Sequence, residues 1–540
     1  MPQNLPIRGL GNAGVVTDIP PSTLPPEAFT RAKNVRFDEG TVSRAPVFRN
    51  IQDSLAIAPV FVHGITAASA SSFSSVILAS DTYELREYVN GSLVSRQGSL
   101  ATTSASDLRY TATTLADITY LNRADKVPVY MAQGGTQFAA LPHWDSTWRA
   151  ASVRAYGDFL LALNTTESGT GYSTRVRWSN PALANSVPNS WDASDATKSA
   201  GFNDLVEMKT PILDGASLGT NFIIYSRDQV YLMEFTGGAF IFNFRKLFTD
   251  AGVINQNCAV EIEGRHFVFG TDDIYTHDTH SKQSIADEKV KQYIFSSLNT
   301  AKTDKCFVQA NPLLEEIYFC YVSGDDMAEY TSGTECNRAA VFNYKNGTWS
   351  FMDLPNVSSA TAASIPTAST YATVTNSYET NGGTYFSQEA GYDSHTLFVG
   401  QSDTPDGISS HKLYGLDPTG SSSMLSAPYD LEANKAPFVE RTGIDLDEMM
   451  QISAYKVISR IYPQVYTESS NMQFQFKVGA SNLQNSVPTY ESQVTFDAAY
   501  QHKIDSRAAG RYLAYRMDVL DTKNFDFSGF DAEITTTGRR

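Results

Sequence analysis

NFIIYSRDQVYLMEFTGGAFIFNFRKLF, from Asn221 to Phe248, is the stretch that decides the fold. Its first apolar run stops at Ser226-Arg227-Asp228, a polar turn. The second, VYLMEF, stops at Thr236-Gly237-Gly238, where two glycines supply the backbone freedom of a hairpin turn. A third run, centred on IFNF, follows at once. Three short strands joined by tight turns make an antiparallel meander, the unit from which a propeller blade is built.

The pattern recurs 44 residues later, a blade-like period, in RHFVFGTDDIYTHD from Arg265. Without a gap, Ile223 aligns with Phe267, Tyr225 with Phe269, Asp228 with Asp272 and Tyr231 with Tyr275. This second copy crowds aspartates and histidines together and invites a metal-site reading. The alignment argues against it: His277 falls where the first copy has Met233, and Asp278 where it has Glu234. Neighbours along a strand also point to opposite faces. Asp272 reads as a turn residue.

Looser copies begin at Ser75, Asp117, Asp158, Glu316 and Thr396, giving seven candidate units between about residues 55 and 430. The expected fold is therefore mainly β: a propeller of six or seven blades over residues 51–435. Insertions are expected near 180–200 and 357–383, the second a Ser/Thr/Ala-rich solvated excursion. Residues 436–540 change character. YKVISRIYPQVY, MQFQFKVGA, ESQVTFDAA, GRYLAYRMDVL and FSGFDAEITTT alternate like half-buried strands, and a C-terminal β-sandwich or barrel-like domain is expected there. Residues 1–50, with two Pro-Pro pairs, read as an extended N-terminal arm lying across a neighbour or its own propeller. RGLGNAG, from Arg8, reads as a flexible segment.

Composition supports a folded β chain. Of 540 residues, 42% are hydrophobic and 18% charged, and the 28 Tyr and 30 Phe are residues that strands favour. The net charge of −17 opposes broad phosphate binding to nucleic acid. No signal-peptide pattern opens the chain, and no run of apolar residues suits a membrane span, so membrane insertion is not expected. The four cysteines, Cys258, Cys306, Cys320 and Cys336, lack C-x-x-C spacing; Cys320, in EIYFCYV, reads as a small buried hydrophobe.

Catalytic signatures are missing from the sequence. No phosphate-binding glycine loop, H-E-x-x-H or G-x-S-x-G occurs. Turn-then-Trp segments recur at Trp148, Trp191 and Trp349; the last is similar to the bracing Asp-box turn of sialidase-type propellers, but it lacks the initial Ser and places Asn346 at the aspartate position. A sialidase would also need arginines and a Tyr-Glu pair on the propeller axis. FRKLF, with Arg245 beside Lys246, reads as a solvated strand end. No catalytic, metal or cofactor-binding residue is assigned, and no enzyme activity or cofactor is expected.

GVVTDIPPSTLPPEAFTRAKNVRFDEGTVSRAPVF, from Gly14, together with RVRWSNP, the run GFNDLVEMKTPILDGASLGTNFIIYSRDQVYLMEF, KQSIADEKVKQYIF and the ending GRYLAYRMDVLDTKNFDFSGFDAEITTTGRR, resembles the tail nozzle proteins of short-tailed bacteriophages. These are also called tail tubular protein B or DNA-stabilisation proteins. The resemblance is densest over 175–325 and weak over 330–430. It implies a structural virion protein: a homohexamer below the adaptor ring that follows the portal, forming the distal tube that retains packaged DNA and conducts it during ejection. Tail fibres or a tip protein are further candidate partners, with DNA passing through the lumen unbound. Synthesis in the host cytoplasm and residence in the virion tail follow. The alternatives are a tail-associated propeller that binds or cleaves host-surface glycans, and a cellular scaffold of the kelch type.

Overall fold

The computed structural model describes residues 3–65, 75–89, 92–132, 134–238, 240–325, 334–363, 395–403, 408–418, 435–447, 454–467, 472–520 and 524–537. Among them, the propeller has seven blades. Five are separate four-stranded antiparallel sheets, running from Pro59–Ile65 through Lys282–Ser284. Blades six and seven share one seven-stranded sheet. Their common strand, Thr348–Ala363, pairs with Cys336–Asn343 in blade six, then from Val357 with His395–Gly400 in blade seven. The change of blade falls at Pro355-Asn356, where Asn356 takes φ 48°, a conformation its short amide tolerates.

Each of the seven units read from the sequence supplies the second strand of one blade, as Asn221–Ser226 does in blade four and Arg265–Phe269 in blade five. Blade seven closes the ring with a strand from the other end of the chain: Val47–Gln52 lies antiparallel to Lys412–Asp417. The closure fixes the circle with a hydrogen-bonded ladder between distant segments.

The C-terminal strands form two packed sheets. Phe474, Phe476 and Val478 face inward and are buried, as their alternation with Gln473, Gln475 and Lys477 requires. The expected arm is corrected here. Gln3–Arg8 pairs with Phe525–Thr536, Thr41–Arg44 pairs with that same strand, and Arg31–Lys33 pairs with Phe438–Ile444 in the second sheet. Residues 3–50 are thus shared between the sandwich and blade seven, and Val15 and Asn34 also bond to blade six, so part of the segment does lie on its own propeller. Alternating apolar residues (Val35, Phe37, Val42) place them in the sandwich core, a pattern the prolines nearby obscure.

RGLGNAG is likewise closely packed. Leu10 is fully buried, and a Cβ on Gly14 (φ +65°) would come within 2.9 Å of the Trp349 nitrogen. Glycine is needed there both for its conformation and for the approach to blade six. One hydrophobic core joins sandwich to propeller, running from Phe474 and Phe527 through Phe29 to Trp349 and Phe319.

The insertion expected near 180–200 is present as the connection between Thr170–Trp178 and Gly201–Asp204. Residues 180–200 fold back, burying Trp191 against Trp144 with ring centroids 4.7 Å apart at 90°. Val357–Ala363, the start of the expected solvated excursion, is the inner strand of blade seven. Its small side chains suit the crowded axis. Residues 364–383 lie outside the described residues.

Candidate functional site

The innermost strands of all seven blades surround an axial cavity of about 380 Å³. Its seams are joined by hydroxyls. Thr111 and Thr113 of blade two accept the backbone N–H groups of Val153 and Ala155 in blade three, at 3.2 and 3.0 Å. Ser359 and Thr361 of blade seven accept those of Val62 and Gly64 in blade one, at 3.4 and 3.0 Å. The inner strands joined at these two seams belong to different sheets, so these side chains satisfy backbone donors that no ladder reaches.

The charged heart of the cavity is Arg154 with Asp214. The guanidinium Nε donates to Oδ1 at 2.9 Å and Nη2 to Oδ2 at 2.6 Å. Ser152 Oγ and the backbone N–H groups of Gly215 and Asn257 also donate to the carboxylate, at 2.7, 2.9 and 2.8 Å. Burial raises the Asp214 pKa, but the Arg154 charge and these hydrogen bonds outweigh it and hold the group below the ordinary carboxylate range. A carboxylate so fully engaged is a poor base and a poor nucleophile. Arg109 pairs with Glu335, and Lys305 with Asp107 at 2.9 Å. Burial, assisted by the Arg154 charge, lowers the pKa of His63 to about 4, so the imidazole facing the cavity is neutral near pH 7.

Among the described residues, the cavity lining contains two acidic residues, Asp214 and Asp304, and no glutamate. The tyrosine among these lining residues, Tyr225, is engaged elsewhere. Tyr225 Oη lies 2.6 Å from His266 Nδ1 and 2.6 Å from His277 Nε2, all three residues being buried. His266 Nε2 lies 2.7 Å from the Ser217 carbonyl, which fixes it as the protonated nitrogen. Tyr225 must then donate to His266 Nδ1, and His277 Nε2–H donates to Tyr225. This proton order ties blade four to blade five.

The acidic and imidazole residues of the second repeat therefore separate. His277 joins the interblade network. Asp278 closes a turn, accepting from His280 N at 3.1 Å and from Ser281 N at 2.9 Å. Asp272 lies in a bend between strands. Among the described residues no group of three or more His, Cys, Asp or Glu side chains is arranged to hold a metal ion. All four cysteines are buried free thiols. Trp349 is fully buried and donates Nε1–H to the Ile285 carbonyl at 3.0 Å, while Asn343 Oδ1 accepts the Lys345 and Asn346 N–H groups in the preceding turn.

Sequence reasoning missed Arg154, Asp214 and the hydroxyl seams. The alternate Thr111 and Thr113 in YTATTL were a usable signal for an inner strand. Nothing local linked Arg154 to Asp214, which meet only because blades three and four are adjacent.

No protein-family profile matches the chain, and no curated protein matches it. Solved structures similar in part include U3-55K, at 8% identity and TM-score 0.38, covering 69% of this chain and 100% of that one. The computationally designed Ika8 protein is similar at 7% identity and TM-score 0.36, over 68% and 99% of the two chains. YCF48 bound to D1 peptide is similar at 11% and 0.29, over 56% and 85%.

Proposed function

We propose that the chain is a structural virion protein, the protomer of a homohexameric nozzle at the distal end of a short phage tail. The observation that carries this reading is the joining of the two chain ends. The stretches from Gly14 and from Gly510, which resemble the family's opening and ending, meet as partner strands: Val42 lies opposite Phe527 and Ser43 opposite Asp526. They form one wall-like sandwich fused to a propeller whose axial charges are paired within the chain. Such a body is rigid and has few exposed strand edges, as a ring subunit requires.

Charge supports the same role. Six copies at −17 each carry about −100, and an acidic lumen repels the DNA backbone, so a retained genome can slide without sticking. The partners are other copies of the chain, the adaptor ring below the portal, and fibres or a tip protein. Negative-stain imaging of the purified protein, alone and mixed with the candidate adaptor, tests the reading. Six-fold rings, or a monomer that forms a six-fold tube on the adaptor, are expected. A monodisperse monomer that ignores the adaptor would overturn it.

A further inference from the structure

We propose that the outer cleft between blades three and four is a binding site for a neutral saccharide. This site is separate from the axial cavity, and its existence does not depend on the nozzle reading. The cleft has a volume of about 590 Å³ and opens at the propeller rim; small-molecule pockets span roughly 300–1,000 Å³.

The lining rings, Phe240, Phe242 and Phe244, all come from blade four, and blade three braces them from behind. Trp178 of blade three meets Phe242 of blade four at 5.2 Å between centroids and Phe244 at 6.3 Å. Phe235 packs beside Phe242 at 5.9 Å. The floor is therefore a fixed aromatic surface. Phe240 lies at the mouth of the cleft and is 82% exposed, and Phe235, beside the cleft, is 58% exposed. Large apolar rings left in water beside an open cleft mark a recognition surface.

Polar groups select the ligand class. Asn203, Thr236 and Asn243 line the same cleft, and among the described residues its lining has no charged side chain although the chain as a whole is strongly acidic. A pyranose ring offers C–H faces to aromatic rings and hydroxyls at its edge. An amide supplies both a donor and an acceptor, which suits adjacent hydroxyls. Addition of a peptide strand is disfavoured at this place. The blade's edge strand, Phe242–Phe248, bears Arg245 and Lys246, and charges on an edge oppose strand pairing.

Affinity electrophoresis of the full chain tests the site, using native gels containing soluble starch, a mixed-linkage β-glucan, a mannan or a galactan. Retardation is expected in at least one gel. Phe240→Ala and Asn203→Ala should each weaken it by about tenfold, while Phe240→Tyr retains it. Phe240 is mostly exposed, so Phe240→Ala should leave the melting temperature unchanged and a loss of binding cannot be ascribed to unfolding. Absence of retardation in all four gels, or retardation indifferent to Phe240→Ala, would overturn the proposal. So would Phe240-dependent self-association in sedimentation without saccharide binding, which would assign the cleft to a second copy of the chain. Loss of six-fold rings in any variant bears on assembly and is read separately by imaging.

Discussion

His277 Nε2 and Tyr225 Oη are 2.6 Å apart across the seam between blades five and four, with no charged group in the bond. Neutrality is a condition of that contact. Burial first, then the charge of His266, lowers the His277 pKa to about 3, against a weaker opposing effect of Asp278; burial lowers His266 to about 4. The unfolded chain takes up these protons near the ordinary histidine pKa of about 6.5. Between pH 6.5 and about 4 the unfolded state thus binds more protons, and stability must fall as pH falls. Each histidine contributes on the order of 3 kcal/mol to that loss, less for a coupled pair. His277→Met, which installs the residue of the neighbouring blade, should make the melting temperature fall less steeply between pH 6.5 and 4.5. An unchanged slope would exclude His277 as an acid-sensitive group.

Tyr225→Phe removes the shared hydroxyl and leaves the His277 N–H and the His266 lone pair without their partner. Buried polar groups stranded in this way cost about 1–3 kcal/mol each. Chemical denaturation should show a lower midpoint at pH 7.5 with little change in slope. A variant as stable as the parent would mean that water or a rotated imidazole replaces the phenol.

Ring closure depends on the near-contact of Gly64 with blade seven. A Cβ at this position would lie 2.5 Å from the Ala362 carbonyl oxygen and 3.0 Å from the Ala363 Cβ. Gly64→Val should force the first and last blades apart, lowering stability by about 1–3 kcal/mol. Gly171→Ala is the control, since nothing lies within 4 Å of the point its methyl would occupy. Limited proteolysis should cut Gly64→Val faster than either the parent or the control. Equal rates for all three would show that the seam can absorb the added side chain.

The second and third strands of the blades were legible because they are apolar and meet at polar turns: Ile223, Ile224 and Tyr225 before Ser226, then Val230 to Met233. The inner strands were harder to see. Thr111, Thr113, Ser359 and Thr361 bond to the next blade, so they read as loop residues although they lie on inner strands, and the last three line the cavity. The arm was misread because Pro20, Pro21, Pro25 and Pro26 dominate its sequence, whereas its pairing is set by partners such as Ile534 and Phe527 at the far end of the chain. Strand pairing over that separation has no local signature. The aromatic cleft was half visible: FIFNF showed the rings, but only the adjacency of blades three and four adds Asn203 to the lining and Trp178 behind Phe242.

Arg441 is fully buried and donates to carbonyls of the proline-rich segment: Nη1 to Pro21 at 2.9 Å and Nη2 to Leu24 at 2.8 Å. Burial lowers its pKa to about 10, which still leaves it charged near pH 7. Arg441→Met fills similar space but leaves the Leu24 carbonyl without its donor, a loss of about 1–3 kcal/mol. Proteolysis should begin near residues 20–26 in the variant. Cleavage confined to other sites would show that the segment is held without the guanidinium.

Deletion of residues 1–35 separates an attached arm from a structural one. An arm lying on a neighbour could be removed with the fold intact, and only assembly would suffer. Here the deletion takes away Gln3–Arg8 and Arg31–Lys33, together with buried Leu10, Val15 and Phe29. It strips one partner from Phe525–Thr536 and one from Phe438–Ile444, opening an edge in each sheet. Newly exposed strand edges favour aggregation. The truncated chain should therefore be poorly soluble, and its soluble fraction should lose the protease resistance of residues 438–536 before that of blades two to four. A soluble, protease-resistant chain that fails only to form rings would return the segment to the role of an intersubunit arm.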